Sequence, residues 1–298
     1  MKTYQLLLLF GIVVLISCKK NKKETIVQEP IKTEIVLTKL WETDTLLKTC
    51  EAVRYHKEKG VIYVSNIGNV PPSEKDGDGS MSIINLKGEI INQNWVTGMN
   101  APKGIHFYND KLYVTDIDAI VKIDIKSGAI DKRIAVENAI FLNDLDIDTS
   151  GDVYFTDSSD SKIYKLVNDE VSLWLDLEDM NPNGILVEKD RILVVSFSKG
   201  DFIAIDKTTK KPSVLATGIV KGDGIVPIKE GYLVSTWPGE LFFVDKKHQG
   251  ETANKILDTK EEKLNAADIS IIPEENILLV PTFFGNKVVA YKIGNELI

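Results

Sequence analysis

Six residues recur along the chain in one local setting, each just ahead of a short apolar run: Glu51, Lys103, Asn143, Asn183, Asp223 and Ala267. Successive intervals are 52, 40, 40, 40 and 44 residues. Two carboxylates and two side-chain amides among them are oxygen donors of the kind hard divalent cations prefer. Glu51, Asn183 and Asp223 are the candidate ligand set, with positions left open for water and substrate. A cation held there would polarise a bound carbonyl oxygen and lower the pKa of a bound water. Asp223, as ligand or as nearby base, would activate the attacking water, and Lys103 or Asn143 would steady the developing oxyanion. Trp237 follows an apolar run shortly after Asp223 and is a candidate wall of the same pocket. Calcium is the first choice of cation, with magnesium, manganese or zinc as alternatives. His56, His106 and His248 lack the spacing of a zinc-ligand set. The chain has neither a Gly-x-Ser-x-Gly elbow nor a Gly-x-x-x-x-Gly-Lys loop, which disfavours serine-hydrolase and P-loop chemistry.

Positioning such residues requires a repeated scaffold, and the sequence supplies one. Each of the six is followed by an apolar strand, a turn rich in Gly, Asp, Glu or Lys, and a β-branched or aromatic strand ending in Ser, Thr, Asp or Asn. Examples are Pro102-Lys103-Gly104-Ile105 to Leu112-Tyr113-Val114-Thr115-Asp116, and Leu142-Asn143-Asp144-Leu145 to Val153-Tyr154-Phe155-Thr156-Asp157. A third strand usually follows, as in Phe202-Ile203-Ala204-Ile205-Asp206. A period near forty, several short strands per unit and no long amphipathic helix predict an all-β, six-bladed β-propeller. In a blade the innermost strand starts at one face, so the six residues would ring the mouth of the central channel. The spare strand Ile35-Val36-Leu37-Thr38-Lys39-Leu40-Trp41 is expected to complete the sixth blade and close the ring, which removes an exposed edge at each terminus. The first unit carries an insert, residues 69–79, dense in turn formers, whose expected place is above the mouth as a lid. Asp116 and Asp157 are expected to cap blade turns by accepting backbone N–H groups.

On these motifs the chain resembles the regucalcin/gluconolactonase family of six-bladed propellers. The matching pieces are Cys50-Glu51-Ala52-Val53, Pro182-Asn183-Gly184-Ile185 and Gly222-Asp223-Gly224-Ile225, with Asn143 matching a further Asn. The resemblance implies that Glu51, Asn183 and Asp223 hold a divalent cation and that Asn143 contacts water or substrate. Two departures bear on the substrate. Sugar lactonases of the family usually carry an Arg where this chain has Phe141, and often Asp-Gly where it has Asp144-Leu145. Lys103 is the candidate replacement for the missing positive charge.

The chain begins with Lys2 and an apolar run, Leu6 to Ile16, too short to span a bilayer comfortably. Leu15-Ile16-Ser17-Cys18 resembles a bacterial lipobox, at which Cys18 becomes a lipidated N-terminus. The expected division is a signal peptide over residues 1–17, a lipidated and polar tether over 18–33, and the propeller over 34–298. A cell-envelope lipoprotein, anchored to a membrane through Cys18 and monomeric, follows. The net charge of −8 argues against nucleic acid as a partner. With Cys18 lipidated, Cys50 is left as a single thiol, read as a buried small hydrophobe rather than a nucleophile. The functional expectation is therefore a metal-dependent hydrolase of a lactone or related ester. Phe141 and the tether support a second reading, a non-catalytic propeller lipoprotein that binds a glycan, a peptide or a partner protein.

Overall fold

The computed structural model describes residues 33–247 and 250–297. Cys18 and the segments assigned to the signal peptide and most of the tether lie outside the described residues, as does His248. Among the described residues no helix is long and apolar enough to cross a membrane, and the single helical element is a 3-10 turn at Pro273–Glu275.

Six antiparallel sheets follow one another along the chain. The first blade runs Cys50–His56, Val61–Asn66, Gly79–Asn85, Ile90–Met99, and the second Pro102–Tyr108, Lys111–Asp116, Ala119–Asp124, Ile130–Ala135. The third blade is Leu142–Ile147, Val153–Asp157, Lys162–Val167, Glu170–Asp176, and the fourth Pro182–Val187, Arg191–Ser196, Phe202–Asp206, Pro212–Thr217. The fifth is Gly222–Pro227, Gly231–Thr236, Glu240–Asp245, Asn254–Asp258. Glu251–Thr252, on the way between the last two strands, adds a short parallel fifth strand to the fourth blade. The sixth blade takes Ser270–Ile272, Ile277–Pro281 and Val288–Leu297 from the C-terminal end and Thr33–Glu42 from the N-terminal end.

That last pairing is the expected ring closure. Thr33–Glu42 lies antiparallel to Val288–Leu297 from Thr33↔Leu297 to Glu42↔Val289, with one irregularity between Lys39 and Trp41. Strands alternate in direction within a blade, and the inner strand leads away from the mouth. Thr33–Glu42, as fourth strand, therefore runs toward the mouth, and Val288–Leu297 runs away from it. Thr33 and Leu297 are thus both at the far face.

Alternating apolar residues on the three inner strands face the neighbouring blades, and the core is correspondingly divided. Six apolar clusters lie at the six blade junctions. Between the first and second blades, Tyr63 packs edge-on against Trp95 and Phe107 with ring centroids 4.9 and 5.2 Å apart, an arrangement that aromatic quadrupoles favour. Between the second and third, Phe155 stacks on Tyr164 at 5.6 Å. The outermost strands are mostly exposed and polar, as in Ile90–Met99, because one of their faces meets solvent. A further small cluster joins Ile67, Ala101, Ile117, Ala267 and Phe283, with Trp237 packed against it.

Candidate functional site

One local irregularity, repeated in five blades, aims the candidate residues. Each of the first five inner strands pairs with its neighbour at its first residue, breaks register, and resumes three residues later, as between Leu142 and Leu145 or between Pro182 and Ile185. The two residues inside each break leave the ladder and turn into the channel. Their backbone groups are satisfied by a hydroxyl from the second strand. Ser65 Oγ accepts from Ala52 N at 2.9 Å and donates to Lys103 O of the next blade at 2.7 Å. Thr156 Oγ1 accepts from Asp144 N at 3.1 Å and donates to Asn183 O at 2.8 Å. Ser235 does the same between Gly224 N and Ala267 O, at 2.7 Å each, and Thr115 donates to Asn143 O. The fourth blade has Val195 at this position. There a Cβ on Gly222 would lie 2.1 Å from the valine Cγ2, and one on Gly184 only 1.8 Å from Asp223 O, so these glycines are required by close approach.

Glu51, Lys103, Asn143, Asn183 and Asp223 all line one cavity of about 820 Å³ at the channel mouth, joined there by Trp237. All but Trp237 are buried, with Lys103 1% and Asp223 2% exposed. The expected set therefore comes together, and Ala267 is a buried filler within the sixth blade. The lid expectation also meets this cavity: Val70, Pro71 and Pro72 of the insert line it. The insert is tied down by Lys75 to Asp118 of the second blade, and by Lys48, whose Nζ donates to Asn69 Oδ1 at 2.5 Å.

Two oxygens in this set have no hydrogen-bond partner although they are buried: Glu51 Oε2 and Asn183 Oδ1. Leaving a buried acceptor unpaired costs free energy, so each orphan calls for a missing partner. Burial pushes the Glu51 carboxyl up to about 8; the Lys103 ammonium opposes the shift and Asp144 adds to it. Burial pushes the Asp223 carboxyl well up too, reinforced by Glu51, Asp268 and Asp144. Lys103 is driven down to about 8 by burial, against the pull of Glu51 and Asp116. Its Nζ donates to Ala101 O at 3.0 Å and lies 4.2 Å from the Phe141 ring centroid, a cation–π contact. Asn143 Nδ2 donates to Ser158 Oγ at 3.2 Å, and that hydroxyl donates to Pro182 O at 2.7 Å, which fixes the amide's orientation.

A concentration of acid without matching base is what a divalent cation relieves. The donors present fit one: oxygen only, two of them orphaned, in a buried acidic setting. Among the described residues no three His, Cys, Asp or Glu side chains form a metal-holding group. Two carboxylates and an amide would thus do the work, a set suited to calcium or magnesium rather than to a thiolate or imidazole metal.

Residues beyond the expected set also matter. One residue further along the chain in their blades, Asp144 and Asp268 are also buried, and burial drives both carboxyls up, Asp268 to about 7. Asp144 Oδ2 accepts from Ile185 N at 3.0 Å, so it also braces the strand that carries Asn183. His106 Nε2 meets Asp146 at 3.1 Å, and burial pushes the imidazole down. Asp268 had one signal in the sequence, its place directly after Ala267. Phe197, Phe283 and Phe284, which line the cavity, stand in turns that carry no periodicity.

Asp116 and Asp157 are turn caps. Asp116 accepts from Asn100 N and Ala101 N at 2.8 to 3.1 Å, and Asp157 from Ile140 N and Phe141 N at 2.7 and 3.0 Å. Cys50 is a fully buried free thiol, pushed by burial to about 12, which suits a packing role and not a nucleophile.

The chain is thus a six-bladed β-propeller with a buried polar site at one end of its channel. Among solved structures it is similar to a catalytically inactive variant of virginiamycin B lyase from Staphylococcus aureus with quinupristin, at TM-score 0.60 and 12% identity, covering 88% of this chain and 99% of that one. It is also similar to a streptogramin B lyase, at TM-score 0.59 and 13% identity, covering 88% and 98%. A selenomethionine-substituted virginiamycin B lyase from Staphylococcus aureus follows at TM-score 0.58 and 14% identity, covering 90% and 89%. At these identities the likeness is one of fold. No protein-family model and no curated protein matches the chain.

Proposed function

We propose that the chain is a divalent-cation-dependent hydrolase of a lactone or related ester, working at the propeller mouth. The observation that carries this reading is the pair of buried, partnerless oxygens, Glu51 Oε2 and Asn183 Oδ1, beside the Asp223 carboxyl on the floor of the cavity. Glu51, Asn183 and Asp223 would hold the cation, with calcium as first choice, and the bound cation would supply Lewis acidity toward a substrate carbonyl. Asp223, as ligand or as nearby base, would take the proton of the attacking water. Lys103 and Asn143 offer N–H donors toward the oxygen on which charge develops. The surrounding aromatic side chains exclude water and strengthen each of these interactions.

The test is hydrolysis of a lactone and ester panel by the purified chain, first with chelator and then with calcium, magnesium, manganese or zinc. Turnover should require a cation, and Asp223→Ala should lower it by about 10²-fold or more. Wild-type protein that binds no cation and turns over no member of the panel would overturn the reading.

A further inference from the structure

The mouth cavity is lined unevenly, and the inference drawn from this rests on the reading of that cavity as the substrate site. Its floor is polar. Its walls are aromatic: Phe141 comes from the third blade, Phe197 from the fourth, Trp237 from the fifth and Phe284 from the sixth. On the first-blade side, Val70 and the adjoining prolines continue the apolar wall. Trp237, Phe283 and Phe284 are mutually edge-on, with centroid separations of 5.5, 5.8 and 4.8 Å, so the wall on this side is a braced aromatic block. Yet Phe284 is 53% and Val70 51% exposed, apolar surface with no protein partner on the cavity side. Polar wall is confined to a short arc at Ser158, Ser159 and Asn181. Asn181 is committed there, since its Nδ2 donates to Ser158 O at 2.8 Å. Lys103 directs its ammonium against the Phe141 ring and Ala101 O, so it does not serve the upper cavity.

A polyhydroxylated ligand would lose water from every hydroxyl and find aromatic faces in return, a poor exchange when each unpaired polar group is penalised. A ligand with one compact polar end and a large apolar body suits both zones at once. The volume of about 820 Å³ also matches a drug-sized molecule rather than a small sugar derivative. We propose that the mouth takes a neutral ester or lactone bearing a bulky aryl or alkyl group, its carbonyl on the polar floor and its apolar body against Trp237, Phe284 and Val70. Those three side chains set the specificity.

Two measurements on the full chain test this. In the cation-loaded protein, kcat/KM for a phenyl-substituted δ-lactone should exceed that for glucono-δ-lactone by at least about tenfold. Among para-nitrophenyl esters, the ratio of phenylacetate to acetate should be large in wild type, fall toward one in Trp237→Ala and recover in Trp237→Phe. In the metal-free protein, the neutral fluorophore N-phenyl-naphthylamine should bind, be displaced by the non-hydrolysable ketone benzylacetone and not by gluconate, and bind about tenfold more weakly to Trp237→Ala. Faster turnover of the sugar lactone would overturn the proposal, and so would dye binding that is absent or indifferent to Trp237. Displaceable, Trp237-dependent binding with no turnover of any substrate would uphold it and remove the catalytic reading instead.

Discussion

The Glu51 carboxyl makes cation binding and stability respond to pH in opposite directions, which gives a test independent of any substrate. In the metal-free protein burial raises this group from 4.5 to about 8. A raised carboxyl pKa means that the folded state holds a proton the unfolded state has released. Its contribution to stability is complete below about 4.5 and is lost as pH climbs toward 8, at up to ~1.4 kcal/mol per pH unit for one proton. Asp223 and Asp268 shift in the same direction and add to the slope. A cation needs the ionised carboxylates, so below that window it must displace a proton, and its affinity weakens by about tenfold per pH unit for each proton displaced. Thermal unfolding followed at pH 5.5, 7 and 8.5, with chelator and with 1 mM calcium, separates the two effects. At free calcium near a hundred times Kd the gain is about 2.7 kcal/mol, or roughly 5 °C or more in Tm for a domain of this size. That gain should be present at the highest pH, shrink at the lowest, and disappear in Asp223→Ala. Equal stabilisation at all three pH values, or its survival in Asp223→Ala, would refute the argument that buried acid at the mouth is what a cation answers.

Two other outcomes follow from the scaffold. Thr156→Val removes the hydroxyl that serves Asp144 N and Asn183 O, and leaving those groups unpaired should cost about 1–3 kcal/mol, seen as a lower Tm and a weaker cation response. Deleting residues 33–42 strips the sixth blade of its outer strand and bares the edge of Val288–Leu297. Size-exclusion chromatography should show self-association and calorimetry a lowered Tm, whereas a monomer of unchanged Tm would contradict the role of that strand in closing the ring.

The blades are legible because their second strands are buried on both faces and so read as dense apolar runs, such as Ile192-Leu193-Val194-Val195. Their near-constant spacing is enough to place Glu51, Asn143, Asn183 and Asp223 on one mouth. The fourth strands were not legible. Glu170–Asp176 and Pro212–Thr217 face solvent along most of their length, and polar, exposed residues leave no pattern to read. The aromatic wall was hidden for a different reason. Phe197, Phe283 and Phe284 lie in turns after second strands, where position relative to the cavity is set by blade packing and not by any local period. Asp144 shows no signal of its own because the register break turns it into the channel together with Asn143, the residue that carries the period.

Joining of the N-terminal strand to the last blade has a practical corollary. Because Thr33 and Leu297 are register partners, the propeller's first and last described strands begin and finish side by side on the face opposite the cavity. A surface, a fusion partner or a hydrophobic anchor coupled to either end would display the opening outward to whatever diffuses past. The same neighbourhood of ends makes a short linker between 297 and 33 feasible, so new termini could be cut into a blade turn without moving a single residue of the mouth.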